Sequence, residues 1–173
     1  MDFAECGLPA TSMLDRQWVA AAYYQDSYCA PLSQPGAAVV DIFQGIFAHH
    51  PPWMKAALIL RNWIVFFFGL DAAAASEVLK FQVKGSNAVG GQLGVWPILA
   101  LTETELITGR DNRHLDFRLS VLKVADGANA KVVVSTVCKV HNVFGKIYLF
   151  LILPFHQWGL KKIICRAIVA GRV

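Results

Sequence analysis

The strongest constraint on the fold is an alternation of apolar and polar side chains from His114 to Val124. Apolar residues take every second position, at Leu115, Phe117, Leu119 and Val121. Successive side chains of a β-strand point to opposite faces, so this pattern predicts a strand with one apolar and one polar face. Asp126-Gly127 is a hairpin signal, and the β-branched residues from Lys131 to His141 predict the partner strand. The sequence therefore predicts an antiparallel hairpin in the second half of the chain.

Further strands and helices are predicted before this hairpin. Trp18 to Leu32 predicts a first strand, and Val95 to Leu101 forms a predicted hairpin with Glu105 to Thr108. Helical spacing of apolar residues predicts two short helices after the first strand, at Ala37 to Ala48 and at Trp53 to Phe68.

One long helix, interrupted by Pro154, is predicted from Phe144 to Ala170. This order of elements matches an α+β fold of the helix-grip type, in which a curved antiparallel sheet wraps around a long C-terminal helix. The order alone is also compatible with another α+β roll. We expect residues 1–173 to form a single domain, because domains commonly contain about 100–200 residues.

Composition limits the classes of function. Hydrophobic residues make up 55% of the chain and charged residues 16%, which excludes a disordered protein. The formal net charge of +4 is scattered, so the sequence predicts no nucleic-acid partner. A domain of this size does not need so much apolar material for its core alone. The surplus is expected to line a cavity, cover a partner or touch a membrane.

The cysteines and the apolar runs predict a cytoplasmic protein without a bound cofactor. The four cysteines lie far apart and lack the close spacing of metal or redox sites, so we expect free buried thiols. Arg61 and Asn62 break the apolar run from Ala56 to Leu70, and the run from Ile147 to Phe155 is short. A membrane span needs about 20 apolar residues, so neither run is expected to cross a membrane.

Four short motifs resemble an uncharacterised bacterial family, the domain of unknown function 2867. They are Gly109 to Arg118 (GRDNRHLDFR), Pro51-Pro52-Trp53, His141-Asn142 with Gly145-Lys146, and Pro154-Phe155-His156. The resemblance runs over nearly the whole chain. It implies a helix-grip fold like that of polyketide cyclases and lipid-transfer proteins, and it implies little about function.

His114, Asp116 and Arg118 are the first candidate ligand-binding residues, because they share the polar face of one strand. Arg118 would hold an anionic or carbonyl group, and Asp116 would orient His114 or the ligand. The alternative is a solvated outer face with ion pairs. His141 ends the partner strand and is expected near His114. Two histidines and one carboxylate do not make a metal site without further ligands, so no metal is predicted.

Tyr148 and His156 complete the candidate set. His156 interrupts the apolar arc of the terminal helix, and Tyr148 lies two turns earlier. Each is either a core residue with one hydrogen bond or a polar contact for a ligand.

Three functions remain open at this stage. The first is a binding module for a small apolar or lipid-like molecule, held between the sheet and the C-terminal helix. The second is a cyclase-like or dehydratase-like enzyme that uses the same cavity, with a histidine or Asp116 as acid–base group. The third is an accessory domain that contacts a protein partner or a membrane surface through residues 53–68.

Overall fold

A computed structural model gives the fold and describes residues 3–49, 51, 53, 54, 56, 59, 83, 84, 89–126 and 129–173. The strands are β1 (Ala4–Glu5), β2 (Tyr24–Pro31), β3 (Val83–Lys84), β4 (Gln92–Leu93), β5 (Trp96–Leu101), β6 (Glu105–Arg110), β7 (Leu115–Asp126) and β8 (Asn129–Val140). The helices with defined bounds are α1 (Arg16–Ala20), α2 (Val39–Phe47) and α3 (Val143–Val169). Within the described ranges, the strands form one antiparallel sheet in the order β1-β2-β8-β7-β6-β5-β4-β3.

The predicted hairpin is the centre of this sheet. β7 and β8 pair from Leu115 opposite Val140 to Asp126 opposite Asn129. The turn between them, with Gly127, lies outside the described residues. β2 then pairs with the free edge of β8, and β6 pairs with the other edge of β7. The first long strand in the sequence therefore lies directly beside the last one.

The two faces of the sheet are covered by different parts of the chain. On the helix face, Leu119, Val121 and Val134 pack against apolar residues of α2 and α3. On the outer face, Ile107 and Val137 pack against Leu14 and neighbouring residues of the N-terminal segment. The predicted α+β helix-grip arrangement is confirmed, with an antiparallel sheet, one long C-terminal helix and a helix after the first long strand.

The first strand begins later than the sequence predicts. Residues 18–20 of the predicted stretch from Trp18 to Leu32 belong to α1, and β2 starts at Tyr24. The reason is a local cap, because the Asp15 carboxylate accepts a hydrogen bond from the backbone N–H of Trp18 at 2.7 Å. This short helix lets the N-terminal segment cross the outer face before the chain enters the sheet.

A buried carboxylate fixes the N-terminal segment to the outer face. Glu105 is 1% exposed, and its two oxygens accept hydrogen bonds from the Ser12 hydroxyl at 2.6 Å and the Met13 N–H at 2.5 Å. The Ser120 hydroxyl on β7 donates a third bond at 2.5 Å. A buried carboxylate needs several donors of this kind to offset the loss of water.

The cysteines differ from the prediction of four free thiols. Cys6 and Cys29 are joined by a disulfide bond, with Cα atoms 6.1 Å apart. The pairing of β1 with β2 brings these distant residues together, since Ala4 lies opposite Cys29. Cys138 and Cys165 are free.

α3 is longer than the apolar run from Ile147 to Phe155, because the helix continues through Pro154 to Val169. By length and composition it is apolar enough to cross a membrane, and only 22% of its most apolar stretch is buried. Its buried side chains, which include Leu160, Ile163 and Ile164, pack in the core beneath the sheet. One helix of this kind is weak evidence for a membrane span, and the expectation that the chain does not cross a membrane and the cytoplasmic location both stay predictions.

The predicted helix from Trp53 to Phe68 is described only in part. Trp53, Met54, Ala56 and Ile59 have helical backbone, and Trp53 packs edge-on against Trp158 of α3 at 4.6 Å between ring centroids. The remainder of that predicted helix lies outside the described residues.

Candidate functional site

A pocket of about 340 Å³ lies between the helix face of the sheet and α3. Its floor includes one row of register partners that crosses four strands, in the order Arg110, Phe117, Cys138 and Tyr24. Leu119 and Thr136 belong to the next row, and α3 contributes walls that include Leu149 and Leu153. The pocket is therefore apolar in its centre and polar at both ends of the row.

One polar end is a cluster around Asp26, which we call the Asp26 cluster: Tyr24, Asp26, Thr136, His156 and Gln157. The Tyr24 hydroxyl donates to Asp26 Oδ2 at 2.7 Å and accepts from Gln157 Nε2 at 3.0 Å. His156 Nε2 lies 3.6 Å from the same Asp26 oxygen. Tyr24, Thr136 and His156 line the pocket, whereas Asp26, the register partner of Thr136, is not among the pocket residues.

The cluster holds Asp26 in its ionised form. Burial by itself raises the pKa of the Asp26 carboxyl, but the His156 imidazole and the Tyr24 hydroxyl stabilise the carboxylate more strongly. The net result is a pKa below the ordinary value for aspartate. Burial, together with the neighbouring Asp26 charge, raises the pKa values of Tyr24 and Tyr28, so both keep their protons.

Several polar atoms of this region are buried but unpaired. Asp26 Oδ1, Thr136 Oγ1 and His156 Nε2 have no hydrogen-bond partner among the residues that the structure describes. Thr136 is 5% exposed and lies directly opposite Asp26 on the neighbouring strand. A buried polar atom without a partner costs roughly 1–3 kcal/mol, so a ligand that supplies the missing hydrogen bond gains that energy.

Arg110 is the polar residue at the other end of the row. Its Nη2 donates to the carbonyl oxygen of Val95 at 3.4 Å. Within the described part of the chain, no carboxylate is paired with Arg110. This guanidinium is therefore a positive charge at the pocket wall.

Of the six residues predicted to bind a ligand, two line this pocket. Tyr148 is buried and His156 is partly exposed, and both belong to the part of α3 that faces the sheet. Their predicted role in ligand binding stays a prediction that this placement favours.

His114 lies instead at the start of α3. Its Nδ1 is 3.0 Å from Asn142 Oδ1, and that same oxygen accepts the N–H of Gly145, which caps the helix. His141 lies next to His114, as predicted, since its N–H donates to the His114 carbonyl at 3.0 Å. The two rings do not share a partner, because the imidazole of His141 is turned toward Asp116.

Asp116, Arg118 and His141 lie on the outer face, away from the pocket. Asp116 Oδ2 is 2.9 Å from His141 Nε2. The Arg118 guanidinium pairs with Asp111 and stacks over the ring of Trp18 at 5.0 Å. The structure thus separates these three residues from His156, and the interpretation as an ion-paired outer face describes them better than a polar cluster inside a cavity.

Sequence reasoning missed Tyr24, Asp26 and Thr136. A signal was available for two of them, because Tyr24, Asp26 and Tyr28 alternate along one predicted strand and therefore share a face. Thr136 lies in a strand rich in β-branched residues and had no distinguishing signal.

A larger hollow of about 590 Å³ lies against the N-terminal segment, with walls from Leu8 to Gln25. None of the six predicted site residues is among its described wall residues. Tyr24 borders both spaces, whereas Thr136 and His156 line only the helix-face pocket.

These features define an α+β helix-grip domain with a mixed apolar and polar pocket under its C-terminal helix. The sequence matches the model of the family described as "Protein of unknown function (DUF2867)" over residues 18–163. The chain belongs to this family. No curated protein matches the sequence. Among solved structures, the chain is similar to CalU16 from Micromonospora echinospora, with 10% identity, a TM-score of 0.35, and coverage of 86% of this chain and 83% of that chain.

The thiol of Cys138 gives a first test of the pocket environment. Burial and the Asp26 charge raise its pKa to about 12, so almost no thiolate forms near neutral pH. We expect iodoacetamide to alkylate Cys138 about tenfold or more slowly than Cys165 in the native protein, since the thiolate is the reactive form. Timed alkylation followed by peptide mass spectrometry measures both rates. The alkylation rates of the two cysteines in urea, where both are expected to react equally, serve as the reference. Equal rates for Cys138 and Cys165 in native protein would contradict a buried thiol at Cys138.

Proposed function

We propose that this domain binds a small, largely apolar molecule in the pocket between the helix face of the sheet and α3. The observation that carries the proposal is the unpaired Thr136 hydroxyl, buried at the wall of an otherwise apolar pocket. Ligand sites combine apolar walls with a few oriented polar groups, and a volume of about 300–1,000 Å³ is typical of them.

A matched pair of substitutions on α3 tests the proposal. Leu153 lines the pocket, whereas Leu151 is exposed on the same helix. Leu153→Trp is expected to fill the pocket and to weaken the binding of an apolar fluorescent dye by about tenfold or more. Leu151→Trp adds the same indole outside the pocket and should leave the dye affinity unchanged.

The measurement is a dye titration of native protein, with the unfolding midpoint of each variant as a folding control. We expect one dye per chain for the wild type, and we expect mass spectrometry of native protein to detect a co-purified ligand. If the dye binds only partly unfolded protein, or binds both variants equally, the pocket does not take a ligand.

An acid–base enzyme is the second candidate, and the Asp26–His156 pair favours it. A carboxylate beside an imidazole at a pocket wall is an arrangement that general acid–base catalysts use. In this reading His156 would exchange protons with a bound substrate and Asp26 would orient the imidazole, in place of the Asp116 considered from the sequence. Binding is the primary proposal because it requires only the polar and apolar walls described above.

Contact with a protein partner or a membrane surface through residues 53–68 stays a prediction. Most of that segment lies outside the described residues, so the proposal does not depend on it. The absence of a nucleic-acid partner and the cytoplasmic location likewise remain predictions from composition.

A further inference from the structure

We infer that the molecule bound in this pocket has two polar ends, a hydroxyl held by the Asp26 cluster and a carboxylate held by Arg110, joined by an apolar body. The inference rests on the proposed function and specifies its ligand class. It follows from the order of side chains across the sheet, where the two polar ends are separated by Phe117 and Cys138.

The hydroxyl end of the ligand is inferred from a hydrogen-bond partner that the Asp26 cluster lacks. Asp26 Oδ1 can only accept a hydrogen bond, whereas Thr136 Oγ1 can donate or accept one. Thr136 Oγ1 has no hydrogen-bond partner among the described residues, and Thr136 lines the pocket, whereas Asp26 is not a pocket residue and its carboxylate interacts with the side chains of Tyr24, Tyr28 and His156. A ligand hydroxyl can donate to or accept from the Thr136 hydroxyl, so it suits this end of the pocket. A ligand ammonium suits the cluster less well, because the His156 imidazole already lies beside the Asp26 carboxylate.

The carboxylate end is defined by the charge of Arg110. A guanidinium offers five N–H donors in a planar fork that matches a carboxylate. One of the Arg110 nitrogens contacts the Val95 carbonyl, and Arg110 lines the same pocket as Thr136. An anionic group at this end would gain a charge-assisted hydrogen bond, which is stronger than a neutral one.

The distance between the ends sets the size of the ligand. Arg110 and Tyr24 are separated by three strand-to-strand steps, because their row crosses β6, β7, β8 and β2. At about 4.8 Å for each step, the two ends are about 14 Å apart. An extended chain of a dozen carbons spans this distance, and its methylene groups would lie on Phe117, Leu119 and Cys138.

Three probes of equal chain length separate the contributions of the two ends. They are ω-hydroxydodecanoic acid, dodecanoic acid and dodecanol, each measured by displacement of the apolar dye and by calorimetry. We expect the hydroxy acid to bind about tenfold more tightly than dodecanoic acid, because of the two acids only the hydroxy acid supplies a hydrogen bond to the Asp26 cluster. Dodecanol should also bind less tightly than the hydroxy acid, because it lacks the group that pairs with Arg110.

Two substitutions remove the polar ends one at a time. Thr136→Val keeps the side-chain shape and should abolish the preference for the hydroxy acid over dodecanoic acid. Thr108→Val is the control for this substitution. Thr108 is also buried on the helix face, and its hydroxyl has no hydrogen-bond partner among the described residues, but it does not line the pocket. Arg110→Gln should weaken both acids about tenfold and leave dodecanol unchanged. Arg113→Gln, at an exposed position, controls for the loss of one positive charge.

The outcomes distinguish this inference from the proposed function. If the dye and all three probes fail to bind native protein, the proposed function itself is wrong. If the three probes bind with equal affinity, the pocket binds apolar molecules, but neither polar end of the ligand contributes to the affinity. A fourth probe, ω-aminododecanoic acid, replaces the hydroxyl by an ammonium group. If it binds more tightly than the hydroxy acid, the assignment of a hydroxyl is wrong.

Discussion

Gly145→Ala is expected to lower the free energy of unfolding by about 3 kcal/mol or more, because the new methyl group has no room. Gly145 is the third residue of α3, where the helix lies against the start of β7. A Cβ atom at this position would overlap the carbonyl oxygen of His114 and would lie 2.9 Å from Cγ1 of Val140. The first neighbour is backbone, which cannot rotate away, so the helix would have to move off the sheet.

Gly159→Ala is the matched control on the same helix. Its Cβ would lie 3.3 Å from the Trp53 ring, which is a side chain that can adjust. Alanine also has a higher helix propensity than glycine by about 1 kcal/mol, which offsets the closer contact. Urea unfolding of both variants measures the difference. Similar stabilities for the two variants would show that α3 does not approach β7 as closely as described.

Glu105→Ala is expected to lower the free energy of unfolding by about 3 kcal/mol, because it leaves three donors, one of them fully buried, without their acceptor. Those donors are the Ser12 hydroxyl, the Met13 N–H and the Ser120 hydroxyl. The first two belong to the N-terminal segment, so this segment should detach from the outer face. Limited proteolysis within residues 6–22 is therefore expected to accelerate along with the loss of stability.

Two further variants, Glu105→Gln and Glu103→Ala, separate the possible causes of the lower stability of Glu105→Ala. Glutamine keeps the size of the side chain and one accepting oxygen, so it should cost less than alanine. Glu103 is exposed in the adjacent turn, and its removal should change little. A Glu105→Ala variant with wild-type stability and an intact N-terminal segment would contradict the anchoring role of this carboxylate.

The motifs that support the family resemblance contribute both to local structure and to the pocket, which is lined by Gly109, Arg110, Leu115 and Phe117 of the Gly109 to Arg118 motif. Asn112 Oδ1 accepts the N–H groups of His114 and Leu115, which shapes the connection between β6 and β7. Asn142 caps α3, and Gly145 permits its close approach to β7. The junction between the hairpin and α3 is therefore built by Asn112, Asn142 and Gly145, and it positions the helix above the pocket.

Local patterns in the sequence determined the elements and their apolar faces. The alternation from Leu115 to Val121 predicted which side of β7 the helices cover, and helical periodicity predicted α2 and α3. These predictions succeeded because a repeat of two or 3.6 residues depends only on the local backbone. The same pattern placed Asp116 and Arg118 together on the other face, which the structure confirms, but it did not say what covers that face.

Only the tertiary structure decided where the pocket lies and which residues form it. The outer face is covered by the N-terminal segment through contacts such as Ser12 to Glu105, which are 93 residues apart. The Asp26 cluster joins β2 to α3, since Gln157 and Tyr24 are 133 residues apart. No short-range repeat encodes such contacts, because they follow from the pairing of the first long strand with the last. That pairing places Asp26 opposite Thr136 and beneath His156, whereas the polar face of β7 is turned away from them.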